Sequence, residues 1–362
     1  MLVSAVEAKP LRSLDAVRVE LGPGIVSLVG PNGAGKTNLL EALYFALTGR
    51  SFRTSDRREL IPFGGQVARA EALVSDEDGI EHRLLASASR GDGRRHLLDG
   101  NPADAATVAR SRPPVAVFSP DRLVLVKGPP GERRAHLDRY VAARRPSRAG
   151  LRQRYGQALA QRNALVARLA AGGGGGDLGV WDAALAEAAA ELVAARAEAV
   201  EELASPFAAA AAELGLPGEA VLEYAPRAEG GAEEIRAGLE QRREADLRLG
   251  RTSWGPHLDE LKLDLDRRSL RRYGSQGQQR AALLALLFAE REALLGARRV
   301  APLLLLDDVM SELDPERRLL LVERLAAGGQ ALISAAAEES VPPAALERMV
   351  PMPPTEIRAA AA

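Results

Sequence analysis

The feature that most constrains the fold is a set of short motifs whose parts stand at opposite ends of the chain. Residues 30–37 read GPNGAGKT and fit the phosphate-loop pattern G-x-x-x-x-G-K-[ST]. Two further segments, YGSQGQQR at 273–280 and LLLLDD at 303–308, lie near the C-terminus. One nucleotide site needs all three segments. The two ends of the chain are therefore expected to meet, which makes the middle an insertion.

The residues around the first motif predict a strand, a turn and a helix. The run 25–29 is short, apolar and rich in β-branched residues, and it ends at Gly30. After Thr37, apolar residues at 39, 40, 43, 44 and 47 follow one helical face, and Gly49 stands where a helix ends. This context is the one in which a phosphate loop works, so we expect an α/β fold.

The motifs assign candidate roles in binding ATP and Mg²⁺. Lys36 is expected to reach the β- and γ-phosphates, and the Thr37 hydroxyl is expected to bind Mg²⁺. Asp307 ends an apolar strand where it could hold the metal through water, and Asp308 stands where a general base would act. The backbone of the loop is expected to surround the phosphates, through Gly30, Pro31, Asn32, Gly33, Ala34 and Gly35.

The middle of the chain predicts a helical hairpin. Apolar residues recur at near-heptad spacing over 151–169 and again over 181–199, and five consecutive glycines, 172–176, separate the two series. Residues 131–170 carry ten Arg, whereas 171–245 carry fifteen acids. The two arms could neutralise each other, or the basic arm could face DNA. We expect an N-terminal part of the ATPase head at 1–130, an inserted helical lobe at 131–245 and the rest of the head at 246–362.

Composition adds constraints on the compartment and on partners. The net charge of −1 gives no general attraction to nucleic acid. With no cysteine, disulfides and thiolate metal sites are excluded, which suits a reducing compartment. The first residues show no secretory pattern and no apolar run is long enough to span a bilayer, so we expect a cytoplasmic protein without a membrane partner.

Taken together, the C-terminal motifs resemble those of ABC-type ATPases. The residues that carry the resemblance are Ser275 to Gln278, the Asp307-Asp308 strand end and a D-loop at 311–314. In that family two heads dimerise head-to-tail around two ATP molecules. The resemblance therefore implies that Ser275, Gly277 and Gln278 act on the nucleotide of the partner subunit.

Narrower motifs resemble the RecF family, which is related to the chromosome-maintenance and Rad50 ATPases but has a short helical lobe. They are GRSFRT at 49–54, FSPD at 118–121, KG at 127–128 with ERR at 132–134, LDR at 137–139 and GPH at 255–257 with Asp259. The resemblance implies an ATP-dependent DNA-binding dimer with weak DNA-dependent ATPase activity. It also implies action with RecR and RecO in loading RecA on gapped DNA, in support of the SOS response.

Four positions depart from these patterns. The acid after Asp307 is Asp308 rather than Glu, which predicts slow turnover. No Gln stands at 118–126, so Asp121 or a backbone group is expected to replace it. Ser334 stands near the place of the switch His. The segment KPLR at 9–12 differs from the usual form but keeps Arg12, which could contact nucleotide or be an ordinary surface arginine.

Other functions fit the sequence less well. A transporter cassette would have a shorter insertion and a catalytic Glu at 308, and a small-molecule kinase would lack a signature acting in trans. An ATPase of the related chromosome-maintenance type with another role on DNA remains an alternative. The candidate phosphate contacts on DNA, which could equally form a solvated helix face, are Arg133, Arg134, Arg144, Arg145, Arg148 and Arg152.

Overall fold

The computed structural model describes residues 1–76, 78–91, 93–298 and 300–353. Within these ranges the strands are β1 (Leu2–Ala8), β2 (Val17–Glu20), β3 (Gly24–Val29), β4 (Val67–Ser75), β5 (Glu81–Ser89), β6 (Arg94–Leu98), β7 (Asn101–Pro102), β8 (Val115–Phe118), β9 (Ala220–Ala225), β10 (Glu260–Leu265), β11 (Arg268–Ser269), β12 (Leu303–Leu306), β13 (Gln330–Ala335) and β14 (Met349–Pro351). The helices are α1 (Lys36–Thr48), α2 (Ala105–Arg110), α3 (Val124–Lys127), α4 (Pro130–Arg144), α5 (Leu151–Ala170), α6 (Leu178–Glu213), α7 (Ala232–Gln241), α8 (Arg243–Leu249), α9 (Leu270–Tyr273), α10 (Gln276–Arg298) and α11 (Pro315–Ala326).

The chain divides into two compact units. The first unit combines Met1–Leu123 with Leu294–Ala362, and the second unit is Val124–Ala293. The two ends of the sequence therefore share one unit, as the split motifs require. Residues 246–293 were expected in the ATPase head, but in the structure they belong to the second compact unit. The division into a head and an inserted lobe stays a prediction.

Two sheets and one helix form the core of the first unit. One sheet is antiparallel, in the order β2-β1-β4-β5-β6-β7, and the other is parallel, in the order β14-β3-β13-β12-β8. Helix α1 contributes to the same apolar cluster as strands of both sheets, and Leu39, Leu43 and Leu47 are fully buried there. A helix that is apolar on nearly every side is stable only when it is covered all round.

The parallel sheet determines where the motifs can meet. Because β3, β12, β13 and β8 run in the same direction, their carboxyl ends lie at one edge, where ligands bind in open α/β sheets. The phosphate loop follows β3, and Asp307 and Asp308 follow β12. Strand β12 covers 303–306, as the sequence predicts.

The second unit contains the predicted helical hairpin. Helices α5 and α6 run antiparallel, since Arg162 pairs with Asp182 while the earlier Arg154 pairs with the later Glu191. These contacts support the interpretation that the basic and acidic arms neutralise each other. Helix α6 extends to Glu213, well past the apolar series that predicted it. The α/β class with a helical hairpin is confirmed, and no helix of the described residues is long and apolar enough to cross a membrane.

Candidate functional site

The phosphate loop is held open by close backbone contacts. Gly30 follows β3, and a Cβ at this position would lie 2.1 Å from the carbonyl oxygen of Met352. Gly35 has a φ of 89° and ends the loop at the first residue of α1. Larger side chains would therefore push the loop away from Met352 or strain its backbone. The loop leads directly into the N-terminus of a buried helix, where anions bind favourably.

The ammonium group of Lys36 lies in the curve of this loop. Its Nζ atom donates hydrogen bonds to the carbonyl oxygens of Gly30 and Pro31, at 2.6 and 2.9 Å. The residue is 9% exposed. A cation on the concave side of a glycine-rich loop can exchange its carbonyl partners for phosphate oxygens without leaving the loop.

A chain of hydrogen bonds joins the phosphate loop to the end of β12. Thr37 Oγ1 donates to the carboxylate of Asp307, with distances of 2.8 and 3.0 Å to its two oxygens. Ser334 Oγ donates to Asp307 Oδ1 at 2.7 Å and accepts from the backbone N–H of Asp308 at 2.9 Å. Burial raises the pKa of Asp307, while the hydrogen bonds from Ser334 and Thr37 oppose that rise.

Asp308 is held in an unusual backbone conformation at this edge. Its φ is 51°, in the left-handed region that costs energy for a residue with a side chain. Its N–H bond to Ser334 stabilises this turn. The sequence placed Ser334 where a switch His stands in related ATPases. In the structure the Ser334 side chain forms hydrogen bonds with both acids. In the sequence it is visible only as a hydroxyl residue within the buried strand β13.

The oxygen atoms at this edge fit a magnesium ion that is bound mainly by nucleotide. Thr37 and Asp307 supply a hydroxyl and a carboxylate, and Mg²⁺ typically takes one or two protein ligands together with phosphates and water. Among the described residues, no group of three His, Asp or Glu side chains could hold a metal without such help. The hydroxyl of Thr37 and the carboxylate of Asp307 therefore fit a metal ion that nucleotide and water help to hold.

A buried hydroxyl lies beside the two acids, at the end of the neighbouring strand. Ser119 follows β8 and is 2% exposed, and its Oγ has no hydrogen-bond partner among the described residues. The preceding residue, Phe118, accepts a hydrogen bond from the N–H of Asp307 at 2.8 Å. The sequence suggested Asp121 for the missing Gln of this segment, but the side chain of Asp121 lies outside the described part of the structure.

Arg12 lies beside α1 and binds a carboxylate there. Its Nε and Nη2 atoms donate to the two oxygens of Glu41, at 2.8 and 3.0 Å, and Glu41 is fully buried. Ser51 also donates to Glu41, and Arg53 lies 3.5 Å from it. This carboxylate raises the pKa of Arg12. Arg12 is thus no ordinary surface arginine, and sequence patterns missed Glu41 because it stands within a helix of otherwise apolar residues.

The signature residues lie in the second unit at the N-terminus of α10. The N–H of Ser275 donates to the Gln278 side chain at 2.8 Å, and the N–H of Gln278 donates to Ser275 Oγ at 3.2 Å. These reciprocal bonds close the first turn of the helix as a capping box does. Ser275 and Gly277 are exposed, so both can contact another molecule.

Two of the arginines predicted to contact DNA are in the wrong place for that role. Arg133 is 4% exposed and pairs with Glu260 at 2.7 Å. Arg144 is 9% exposed and pairs with Glu198 and Glu202. Each arginine is itself buried and would have to abandon a half-buried carboxylate partner to reach a phosphate, which is costly.

The other four candidates remain partly accessible. Arg145 and Arg148 pair with Glu198, at 2.6 and 2.5 Å, and their side chains are 46% and 29% exposed. Arg134 donates to the carbonyl oxygen of Asp259 at 2.8 Å. Arg152 is 61% exposed, and its nearest acid is Asp138 at 3.7 Å. Pairs of this kind are weak in water, so these arginines could exchange their partners.

Comparison with known proteins places the chain among DNA-maintenance ATPases. The family model described as the RecF/RecN/SMC N-terminal domain matches residues 2–354. The DNA replication and repair protein RecF of Streptomyces avermitilis is 38% identical, over 94% of this chain and 95% of that protein. The protein of the same name from Anaeromyxobacter sp. strain Fw109-5 is 40% identical, over 95% of both chains.

Solved structures support the same relationship. A structure of the recombination mediator protein RecF with ATP, from the RecFOR pathway, superposes with a TM-score of 0.85 at 27% identity, covering 94% of this chain and 93% of that one. The Smc head bound to the C-terminal winged-helix domain of ScpA has a TM-score of 0.57 at 18% identity, covering 97% and 94% of the two chains. The second likeness shows a shared fold.

Proposed function

The chain belongs to the RecF family of ABC-type ATPases, and we propose that it is an ATP-dependent DNA-binding protein of recombinational repair and replication restart. The ATP-bound dimer would bind duplex or gapped DNA and help RecA to load on single strands, in support of the SOS response. Slow ATP hydrolysis would then release the DNA. RecR and RecO are the proposed partners, and the cytoplasm is the proposed compartment.

The contact between Thr37 and Asp307 is the observation that carries this proposal. These residues stand 270 positions apart, yet the hydroxyl of one lies 2.8 Å from the carboxylate of the other. The two halves of a P-loop ATPase site are thus assembled by the two ends of one chain. Such an assembled site supports a switch driven by ATP.

The residues of the site divide the work of binding and hydrolysis. The loop from Gly30 to Gly35 would bind the phosphates through its N–H groups, and Lys36 would neutralise the β- and γ-phosphates. Thr37 and Asp307 would hold Mg²⁺, which neutralises charge on the phosphates when it is bound. Asp308 would orient water and accept its proton. Its side chain is one carbon shorter than that of Glu, which supports slow turnover.

Ser119 is our candidate for the group that replaces the missing Gln near the metal. A buried hydroxyl without a partner costs free energy unless something binds it. The end of β8, beside Asp307, is a suitable place for a water or metal ligand. Ser119→Ala is therefore expected to weaken the dependence of ATP hydrolysis on Mg²⁺ more than it weakens ATP binding.

Dimerisation would complete each nucleotide site. Ser275, Gly277 and Gln278 would contact the γ-phosphate held by the other subunit, with Ser311 to Asp314 at the interface. The exposure of Ser275 and Gly277 in a single chain supports this role, because residues that act in trans must be accessible. ATP would then hold the two subunits together.

Sizing the protein by light scattering, with and without ATP, tests the proposal. Wild-type protein is expected to dimerise with ATP and Mg²⁺ and to bind DNA in that state. Ser275→Arg should bind ATP as a monomer, whereas Lys36→Met should lose ATP binding. Arg236→Gln serves as the control, since Arg236 is an exposed arginine paired along α7. Wild-type protein that stays monomeric on DNA with ATP would refute the proposal that an ATP-bound dimer binds DNA.

A further inference from the structure

One exposed surface of the second unit carries positive charge that the protein does not neutralise. It lies at the β10–β11 turn and along α9, just before the signature residues. We call it the 267–273 surface, and its exposed members are Arg267, Arg268, Arg271, Arg272 and Tyr273. The Tyr273 side chain is 70% exposed. Apart from Tyr273, which begins the 273–280 segment, no sequence motif included these residues.

The four arginines differ from most others of this unit in their contacts. Arg133, Arg144 and Arg196 each bind carboxylates. By contrast, none of the four forms an ion pair with a described residue. The one hydrogen bond from their side chains to a described residue runs from Arg271 Nε to the carbonyl oxygen of Lys127 at 3.2 Å. Uncompensated charge at such density attracts a polyanion.

The backbone at Arg267 gives an independent reason to look for a ligand here. Asp266 and Arg267 both have positive φ, 49° and 61°, in a two-residue turn that normally favours Asn and Gly. Asp266 is accounted for, because its carboxylate accepts a hydrogen bond from the N–H of Glu219 at 2.8 Å. Among the described residues, the Arg267 side chain forms no hydrogen bond or ion pair that would offset its unfavourable backbone. Strained residues of this kind cluster at functional sites.

A groove of about 350 Å³ runs along this surface. Five cationic side chains line it, against the carboxylates of Glu260 and Asp264 alone. Glu260 is already paired with Arg133, and Lys262 with Glu223 at 2.7 Å. The excess charge of the groove therefore comes from Arg267, Arg271 and Arg272, which outnumber the one remaining carboxylate, that of Asp264.

We propose that the 267–273 surface binds the sugar–phosphate backbone of DNA. The inference rests on the proposed function and specifies which surface carries it. Several arginines in one open groove suit a polymer of phosphates better than a single small anion, which a closed pocket would hold. Because they meet phosphates rather than base edges, binding is independent of sequence and falls steeply with salt.

The same segment can transmit DNA binding to the signature residues. Leu270, the first residue of α9, offers its carbonyl oxygen to the N–H of Gly274 at 3.1 Å and to the side chain of Gln279 at 2.7 Å. Gln279 is a buried residue of α10, whose N-terminus carries the signature. Phosphates held by Arg271 and Arg272 thus act on the helix segment that supports the signature.

Fluorescence anisotropy with a labelled 30-base-pair duplex, titrated over a salt series with ATP, tests the proposal. The variant replaces three groove arginines, in Arg267→Gly/Arg271→Gln/Arg272→Gln. The control removes three exposed arginines of the same unit, in Arg154→Gln/Arg236→Gln/Arg248→Gln. Each lost phosphate contact should reduce the slope of log K against log salt by about 0.9, which amounts to about eightfold in affinity between 1 M and 0.1 M salt.

We expect the groove variant to lose a slope of roughly 2–3 and at least about a hundredfold in affinity at 0.1 M salt, while the control keeps the wild-type values. Arg267→Gly alone should lose about eightfold in affinity without any fall in its unfolding midpoint, because glycine adopts this backbone freely. If Arg267 had only a structural role, its replacement would not lower DNA affinity while leaving the unfolding midpoint unchanged.

Four results would overturn the inference. Equal losses in the groove variant and the control would show that only total charge matters. Loss of the ATP-induced dimer in the absence of DNA would assign the surface to the subunit interface. Wild-type affinity in the groove variant would exclude the surface, whereas absence of DNA binding by wild-type protein would overturn the proposed function as well.

Discussion

Breaking the ion pair between Arg12 and Glu41 should loosen the phosphate-loop helix. The pair has two short hydrogen bonds, 2.8 and 3.0 Å, and one fully buried partner. Removing one partner of a buried pair costs about 3–5 kcal/mol, and exposed pairs contribute about 0–1 kcal/mol. Because the Arg12 side chain is 19% exposed, we expect Arg12→Met to cost about 2–4 kcal/mol.

A double-mutant cycle isolates the pair from other effects of each substitution. Glu41→Gln keeps the shape of the side chain and removes its charge, so the cycle with Arg12→Met should give a coupling free energy of about 1.5–3 kcal/mol. The matched control is Arg18→Met with Glu20→Gln, an exposed pair on β2, where coupling should stay below about 1 kcal/mol.

The assay must report on the first unit. Both tryptophans, Trp181 and Trp254, belong to the second unit, so their fluorescence does not follow α1. Hydrogen exchange of peptides from 36–48 reports on α1, because it measures the free energy of opening that helix. A coupling below about 0.5 kcal/mol would refute the reasoning that Glu41 depends on Arg12. If Arg12→Met binds ATP with unchanged affinity under conditions in which it stays folded, Arg12 supports α1 and does not bind nucleotide.

Three further outcomes follow from the same contacts. Lys36→Met should abolish ATP binding in a filter assay while hydrogen exchange stays near wild type, because the hydrogen bonds that Lys36 Nζ forms with described residues go to the carbonyls of its own loop. Retained ATP binding would contradict its role. Ser334→Ala should lower the stability of the first unit by about 1–3 kcal/mol and the rate of ATP turnover at least tenfold, because the N–H of Asp308 loses its partner. Ser334→Thr should recover part of both losses. Equal turnover in the wild-type protein and both variants would refute this role of Ser334. Arg162→Met should lower the free energy of unfolding of the second unit by about 3–5 kcal/mol, because Asp182 and Asp246 lose a buried cation. Tryptophan fluorescence in urea measures this loss. A loss below about 1 kcal/mol would show that these acids find other partners.

The nucleotide site could be predicted from sequence because its parts are local patterns. Gly30 to Thr37 specify their own turn, and the apolar run at 303–306 specifies a buried strand that ends in acids. Each pattern follows from steric limits and burial within a few residues. The family resemblance then supplied the expected partners and the role of Ser275.

The arginines could not be sorted in the same way. Arg133 and Arg267 look alike in sequence. In the structure Arg133 is buried and pairs with Glu260, 127 residues away, whereas Arg267 is exposed. A charge pattern along one helix does not show which acid from a distant strand will approach it. The burial of Arg133 and Arg144 argues against the contacts with DNA that the sequence predicted for them.

The sequence by itself determined that this chain is a P-loop ATPase of the RecF type. The phosphate loop, the strand that ends in two acids and the signature are each recognisable from a few adjacent residues. The tertiary structure alone decided which groups assist them. Ser334 joins Asp307 to Asp308, and Glu41 binds Arg12, because strands and helices from distant parts of the chain meet in one buried layer. Burial makes such polar contacts strong, and only the folded chain determines which groups are buried together.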